Sequence, residues 1–410
     1  RLREAPHEEV EITAKDINRL LQELAELNVK IVTVEGGDTS GSDAVGLRDQ
    51  RQNALAELAA LVDIRSVEQS DGSVSVFAGG DFLVFHGEHR SVTVSYERAD
   101  GSDTAAVLLA DTDSPLSASS GKLAGLYAAR DEIVASFHES LDELAGTLVF
   151  EFNKLHASGQ GLRGYRELTS ERSVDDPDAA LDRAGLPFTP SNGSFQVLVR
   201  NLRTGLSRTS DVWVPLNGLE DDITLSRLAA ALDAIDGIEA EVTPERQLRI
   251  ASESQDVEFA FAGDSSGILA ALGVNTFFTG SSAADVGIHD LLRRDPALLA
   301  ASRGGIGVDA DNAVLLAGFG DQPLESQDGS SILTTYERMV GKVAQGSSAA
   351  QAVSEGFRVF QQTLEGQQLA VSGVSIDEEA IRMLAFQRAF QASARVIQAV
   401  NELLEILVSL

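Results

Sequence analysis

From Val10 to Val34 the apolar residues fall at Val10, Ile17, Leu20, Leu24, Leu27, Ile31 and Val34, in steps of three and four, with Thr13 in the one polar slot. That spacing predicts a helix with a narrow apolar seam along one face. Gly36-Gly37-Asp38 punctuates it, Ser40 to Asp43 prolong the break, and a second helix is expected from about Leu47 to Leu61. Around Asp71-Gly72 and Gly79-Gly80 the period drops to two, with Val74, Val76, Val92 and Val94 alternating with hydroxyl residues. Residues 64–112 therefore read as hairpins. A long helix is predicted from about Ser120 to His156, its apolar face running through Leu123, Leu126, Ile133, Phe137, Leu141, Leu144, Leu148, Phe152 and Leu155.

The stretch 160–325 holds short strands, among them Phe195–Val199 and Val257–Phe261. Between these two, Leu225–Ile235 reads as an amphipathic helix packed on their sheet. Helix resumes near Ile332 and is expected to reach the chain end, broken at Gly346 and Gly373. In the last segment Ser375 and Glu378 form an S-x-x-E capping box, with Asp377 and Glu379 in the first turn. Beyond it Met383, Phe386, Phe390, Ile397, Val400, Leu404 and Leu407 keep a strict heptad register in which Ser393 is the only polar member. A seam of that length, about 50 Å at 1.5 Å per residue, calls for a partner helix along all of it. Leu384, Leu403 and Leu410 widen the stripe, as packing inside an ordinary core would also require.

These elements give an α+β architecture in six segments. Residues 1–63, 115–160 and 331–374 build a long-helix domain. Residues 64–114 form a hairpin insertion, 161–330 a β-rich outer domain, and 375–410 a heptad helix for axial assembly. Composition narrows the function. The 63 acidic and 32 basic residues leave a formal charge of -31, which repels phosphate backbones and anionic membranes alike. No apolar run approaches the length that spans a bilayer. Cysteine is absent, so disulfides and thiolate chemistry are excluded. The chain opens at Arg1 without a charged and then apolar leader, so no cleaved signal is expected, and it reads as a fragment.

Each chemical motif meets a plainer reading. Gly263-Asp264-Ser265-Ser266-Gly267 matches G-x-S-x-G, and Asp285 and His289 follow in hydrolase order. A secreted serine hydrolase using Ser265 is the catalytic alternative, but the run also reads as the cap of a short helix at Ile268–Leu272. A surface adhesin on 161–330 is a third reading. Asp309-x-Asp311-Asn312 starts like a calcium loop, yet Val314 and Gly320 replace its glycine and glutamate. His86 and His89 lie in a β context unsuited to a shared zinc site. Gly121-Lys122 lacks the rest of a phosphate loop. No catalytic, metal or cofactor residue is assigned.

The segment Ser372–Ala380, followed by Phe386-Gln387-Arg388-Ala389-Phe390-Gln391-Ala392-Ser393-Ala394-Arg395, closely resembles the C-terminus of the flagellar hook-associated protein 1 family. That family usually has tyrosine at Phe390 and asparagine-leucine at Ser375-Ile376. Glu26-Leu27-Asn28, Leu47-Arg48-Asp49-Gln50-Arg51, Phe152-Asn153-Lys154-Leu155-His156 with Gly159, and Gly267–Gly280 are similar to the same family in the same order. The resemblance implies a non-catalytic, extracellular subunit between the hook protein and the second junction protein. Its terminal helices would line an inner tube beside other copies, and its middle domains would face outward. It further implies export through the flagellar apparatus without a cleaved signal, and a cytoplasmic chaperone on the C-terminal helices. The family's N-terminal helical stretch, which pairs with the C-terminal helix, has no counterpart in these residues.

Overall fold

In the computed structural model, residues 4–36, 44–99, 102–219, 221–373 and 376–409 are described. They are α+β and divide into two compact units, residues 1–336 and 337–410. Helix α1 (Glu4–Glu35) and helix α2 (Val45–Leu61) lead into four antiparallel strands, β1 (Arg65–Glu68), β2 (Val74–Ala78), β3 (Asp81–Phe85) and β4 (Glu88–His89). A two-stranded ribbon follows, β5 (Val92–Ala99) with β6 (Ser102–Leu109). Segments 1–63 and 64–114 are not separately cored. Val10, Ile17, Leu20, Leu24 and Leu58 share one apolar cluster with Val76, Leu83, Val84, Val107 and Leu109.

Because α1 packs on α2 and on both sheets at once, its buried stripe takes in Ala14, Leu21 and Ala25 and is broader than the predicted seam. Thr13 is buried, its hydroxyl donating to the Glu9 carbonyl at 2.7 Å. Val34, counted in the seam, is instead exposed. In that last turn Glu35 takes the inward position, accepting two bonds of 2.8 Å from the Arg48 guanidinium. The buried carboxylate thus has a bidentate cation rather than an apolar neighbour.

The long helix comprises α3 (Gly121–Ala128), a π-helical turn at Ala129–Val134, and α4 (Ala135–Ala157). The π turn holds an extra residue and shifts the face. Ile133, predicted inside the seam, consequently stands in solvent. Further on, Leu144, Leu148, Phe152 and Leu155 pack on Phe319, Leu324 and Ile332.

The middle region has one core between two antiparallel three-stranded sheets. The first has the order β12 (Val257–Ala262), β8 (Gly193–Asn201), β9 (Ser207–Val214), and the second β10 (Ile238–Val242), β11 (Leu248–Ser252), β7 (Glu167–Thr169). Helix α5 (Leu225–Asp233) ends earlier than predicted. It lies closest to β10, and its buried Leu225, Leu228, Ala229 and Leu232 share one core with Phe195, Val212 and Phe259 of the sheet to which the sequence assigned it. Helix α6 (Ile268–Leu272) follows, and then β13 (Phe278–Thr279), β14 (Gly287–Ile288), α7 (Asp290–Arg294) and α8 (Asp311–Ala317). Last come α9 (Ile332–Ser372) and α10 (Ile376–Ser409). Gly346 does not break α9, against expectation. A helical glycine costs about 1 kcal/mol, and nearby Ala344, Ala349 and Ala350 are strong helix formers, so the run continues. Gly373 does end it, and a Cβ there would collide with the Leu369 carbonyl.

Buried polar side chains staple these elements. Asn28 of α1 donates to the carbonyls of Val74 and His86 at 2.8 and 2.7 Å and accepts the Val74 N–H, while Arg51 of α2 donates to the Gly72 carbonyl. At the end of α4, Asn153 accepts the N–H groups of Phe277 and Phe278 and donates to the Phe278 carbonyl, each at 2.9 Å. His156 Nδ1 donates to the Asn275 carbonyl at 2.8 Å, and its Nε2 accepts the Ala300 N–H. Asn275 sits at φ +53° and donates to the carbonyls of Ala157 and Gly159. Asn28, Arg51, Asn153, His156 and Asn275 all lie in segments that carry the family resemblance.

His156 is neutral for a physical reason. Complete burial disfavours the imidazolium and pulls its pKa from 6.5 down to about 4, outweighing the Asn275 carbonyl. Between those values the unfolded chain takes up a proton that the native state refuses. Stability present above pH 6.5 is therefore lost as pH falls through 6.5 towards about 4, by about 3 kcal/mol in all. Urea midpoints over this range should fall more steeply for the native sequence than for His156→Gln. Parallel curves would contradict this assignment.

Candidate assembly surface

Helix α10 carries its apolar side chains in water. Its first turn holds Asp377, Glu378 and Glu379, suited to the positive end of the helix dipole. Ser375, the other half of the expected capping box, lies outside the described residues, as does the Leu407 side chain. Met383, Phe386, Phe390, Ile397, Val400 and Leu404 are all exposed, Phe386 and Phe390 to 75% and 76%. Ser393, in the same register, turns its hydroxyl onto the Ala389 carbonyl at 3.0 Å, so this polar slot is satisfied within the helix. Leu384 and Leu403, which widen the stripe, are exposed as well. A continuous apolar row of this length in water is the usual signature of a contact surface.

Sequence reasoning missed a second seam. Along α9, Tyr336, Met339, Val343, Gly346, Ala350, Val353, Phe357, Phe360 and Leu364 keep the same alternation of three and four. Val343, Val353, Phe357, Phe360 and Leu364 are exposed. The signal was available, but small residues in the middle of the run hid it and suggested a helix break.

The hydrolase candidates are occupied separately. Asp264 accepts the N–H groups of Ser266, Gly267 and Leu269, capping α6 as the plainer reading holds. Ser265 donates to the Ser194 carbonyl and accepts the Ser194 N–H. Asp285 accepts from Ser281 and Ser282, and His289 Nδ1 accepts the Leu291 N–H at the start of α7. The three groups thus serve separate turns. Asp309 gathers the N–H groups of Arg303, Gly304 and Asp311, while Asn312 is buried and donates to the carbonyls of Leu155 and Ala300. His86 pairs with Asp71 at 3.2 Å in a turn, and His89 lies on β4. Among the described residues no three His, Asp or Glu converge as a metal site, and no helix is long and apolar enough to cross a membrane.

Two family descriptions match this chain. Residues 1–168 match the flagellar hook-associated protein FlgK helical domain, and residues 365–410 match the flagellar basal body rod FlgEFG protein C-terminal family. The second match covers α10. Flagellar hook-associated protein 1 of Escherichia coli K12 is 24% identical, over 96% of this chain and 69% of its own length. The flagellar hook junction protein FlgK from Burkholderia pseudomallei aligns in structure with a TM-score of 0.49 and 14% identity, over 91% of this chain and 85% of that one.

Proposed function

We propose that this chain, a FlgK-like hook-associated protein and a structural component of the bacterial flagellum, joins hook to filament by burying the α10 seam between copies of itself. The observation that carries the reading is the row of exposed apolar residues from Met383 to Leu404, in the segment that matches a flagellar rod C-terminal family. Burying such side chains contributes about 1.5–3 kcal/mol each, and a ring of copies would multiply that gain. The flanking partners are then the hook protein on one side and the second junction protein on the other.

Residues 161–330 face outward in this reading and need no chemistry, cofactor, nucleic acid or membrane. Before assembly the seam would be an aggregation hazard, which gives a cytoplasmic chaperone a reason to cover it until export to the cell exterior. Electron microscopy of isolated hooks tests the proposal. The full-length protein should add density at the distal end, and the same protein lacking residues 376–410 should not. Equal binding by both would refute it.

A further inference from the structure

The two seams fit each other. Among the seam residues whose side chains are described, six pairs lie at equal distances in sequence on either side of Ser375: Leu364 with Phe386, Phe360 with Phe390, Phe357 with Ser393, Val353 with Ile397, Ala350 with Val400, and Gly346 with Leu404. When one helix turns back on another, equidistant residues come level, and each of these pairs joins an a position to a d position. That is the layer an antiparallel coiled coil stacks. Sizes match too. In that arrangement the ring of Phe357 would meet small Ser393, Leu404 would meet Gly346, and only the Phe360–Phe390 layer would stack two rings.

Two further features favour this pairing. Between the end of α9 at Ser372 and the start of α10 at Ile376 lie residues 373–375, a connection of the length that joins antiparallel helices. Gly373 already terminates α9, its N–H bonded to the Leu369 carbonyl. The positions beside the seams are small or uncharged, such as Ser347, Ser354 and Gly356 on α9 and Ala389 and Ala394 on α10. Arg388, Arg395 and Glu402 recur every seven residues on the face of α10 opposite its seam. Lys342 and Arg382 do flank the seams, but at opposite ends of the hairpin. Close approach would therefore strip water from few charges.

We infer that α10 folds back on α9 of the same copy, in the register centred on Ser375, as the closed form of the unassembled subunit. In the structure both seams stand in water, so the two helices are not paired there. Closure hides the residues that assembly needs, so the hairpin must open before a subunit can join. This last step rests on the assembly role proposed above for α10.

The chain has no cysteine, so disulfide trapping gives a clean test. In the dilute chain under mild oxidation, Val353→Cys with Ile397→Cys should form an intramolecular bond in most molecules, because facing core positions of the closed hairpin can reach the Cβ separation of about 4 Å that a disulfide needs. Glu355→Cys with Arg395→Cys is equally spaced about Ser375 but faces outward, and should stay reduced. Failure of the first pair, bonds only between chains, or equal trapping of both pairs would overturn the hairpin. The trapped form should lose binding to isolated hooks and regain it with dithiothreitol. If trapping succeeds but the locked protein binds hooks as well as the reduced one, the hairpin stands and the assembly role of α10 falls.

Discussion

Cells whose sole copy of the protein carries Phe390→Asp with Ile397→Asp are expected to bear hooks without filaments. Both side chains project from α10 into water and neither belongs to the hydrophobic clusters within residues 1–336, so the thermal unfolding of that unit should be unaltered. The cost falls on assembly. Each copy forfeits about 1.5–3 kcal/mol of apolar burial per side chain, and each buried contact would also enclose an unpaired carboxylate, which is prohibitive without a partner. Normal filaments on motile cells would contradict the prediction.

Asn153→Ala carries the second large effect, and it acts on folding. Asn153 is completely buried, and its side chain satisfies the N–H groups of Phe277 and Phe278 and the Phe278 carbonyl. Removing it strands three backbone groups, each at a cost of about 1–3 kcal/mol where water cannot replace the bond. A total near 3–5 kcal/mol is expected, a large share of a domain's stability. Phe152, beside it, packs edge-on against Phe278 and Phe319, so the damage should extend into that aromatic cluster. Urea unfolding and amide exchange at Phe277 and Phe278 would measure it. A loss below about 1 kcal/mol would mean that the staple is dispensable.

Much of this molecule is written locally in its sequence. The α1 seam, the hairpins around Asp71-Gly72 and Gly79-Gly80, and the α10 heptads follow from spacing alone, since each depends on neighbours a few residues away. The rest depends on distant partners. Val34 belongs to the α1 period but loses its buried place to Glu35, whose partner Arg48 lies on α2. Ile133 belongs to the α3–α4 period until a π turn rotates it outward. Asn153, His156 and Asn275 read locally as polar residues of no fixed role. Their meaning comes from carbonyls and N–H groups more than a hundred residues away. Of the two exposed seams, that of α10 shows in the sequence because its residues are bulky, whereas that of α9 is masked where Gly346 and Ala350 interrupt the run of large side chains.

A reconstruction of the isolated hook with its junction, at a resolution that shows side chains, tests the central claim most directly. The account predicts α10 helices of neighbouring subunits packed together, with Phe386, Phe390, Ile397 and Val400 enclosed between copies. A junction in which those side chains face water, while other surfaces hold the subunits together, would contradict it.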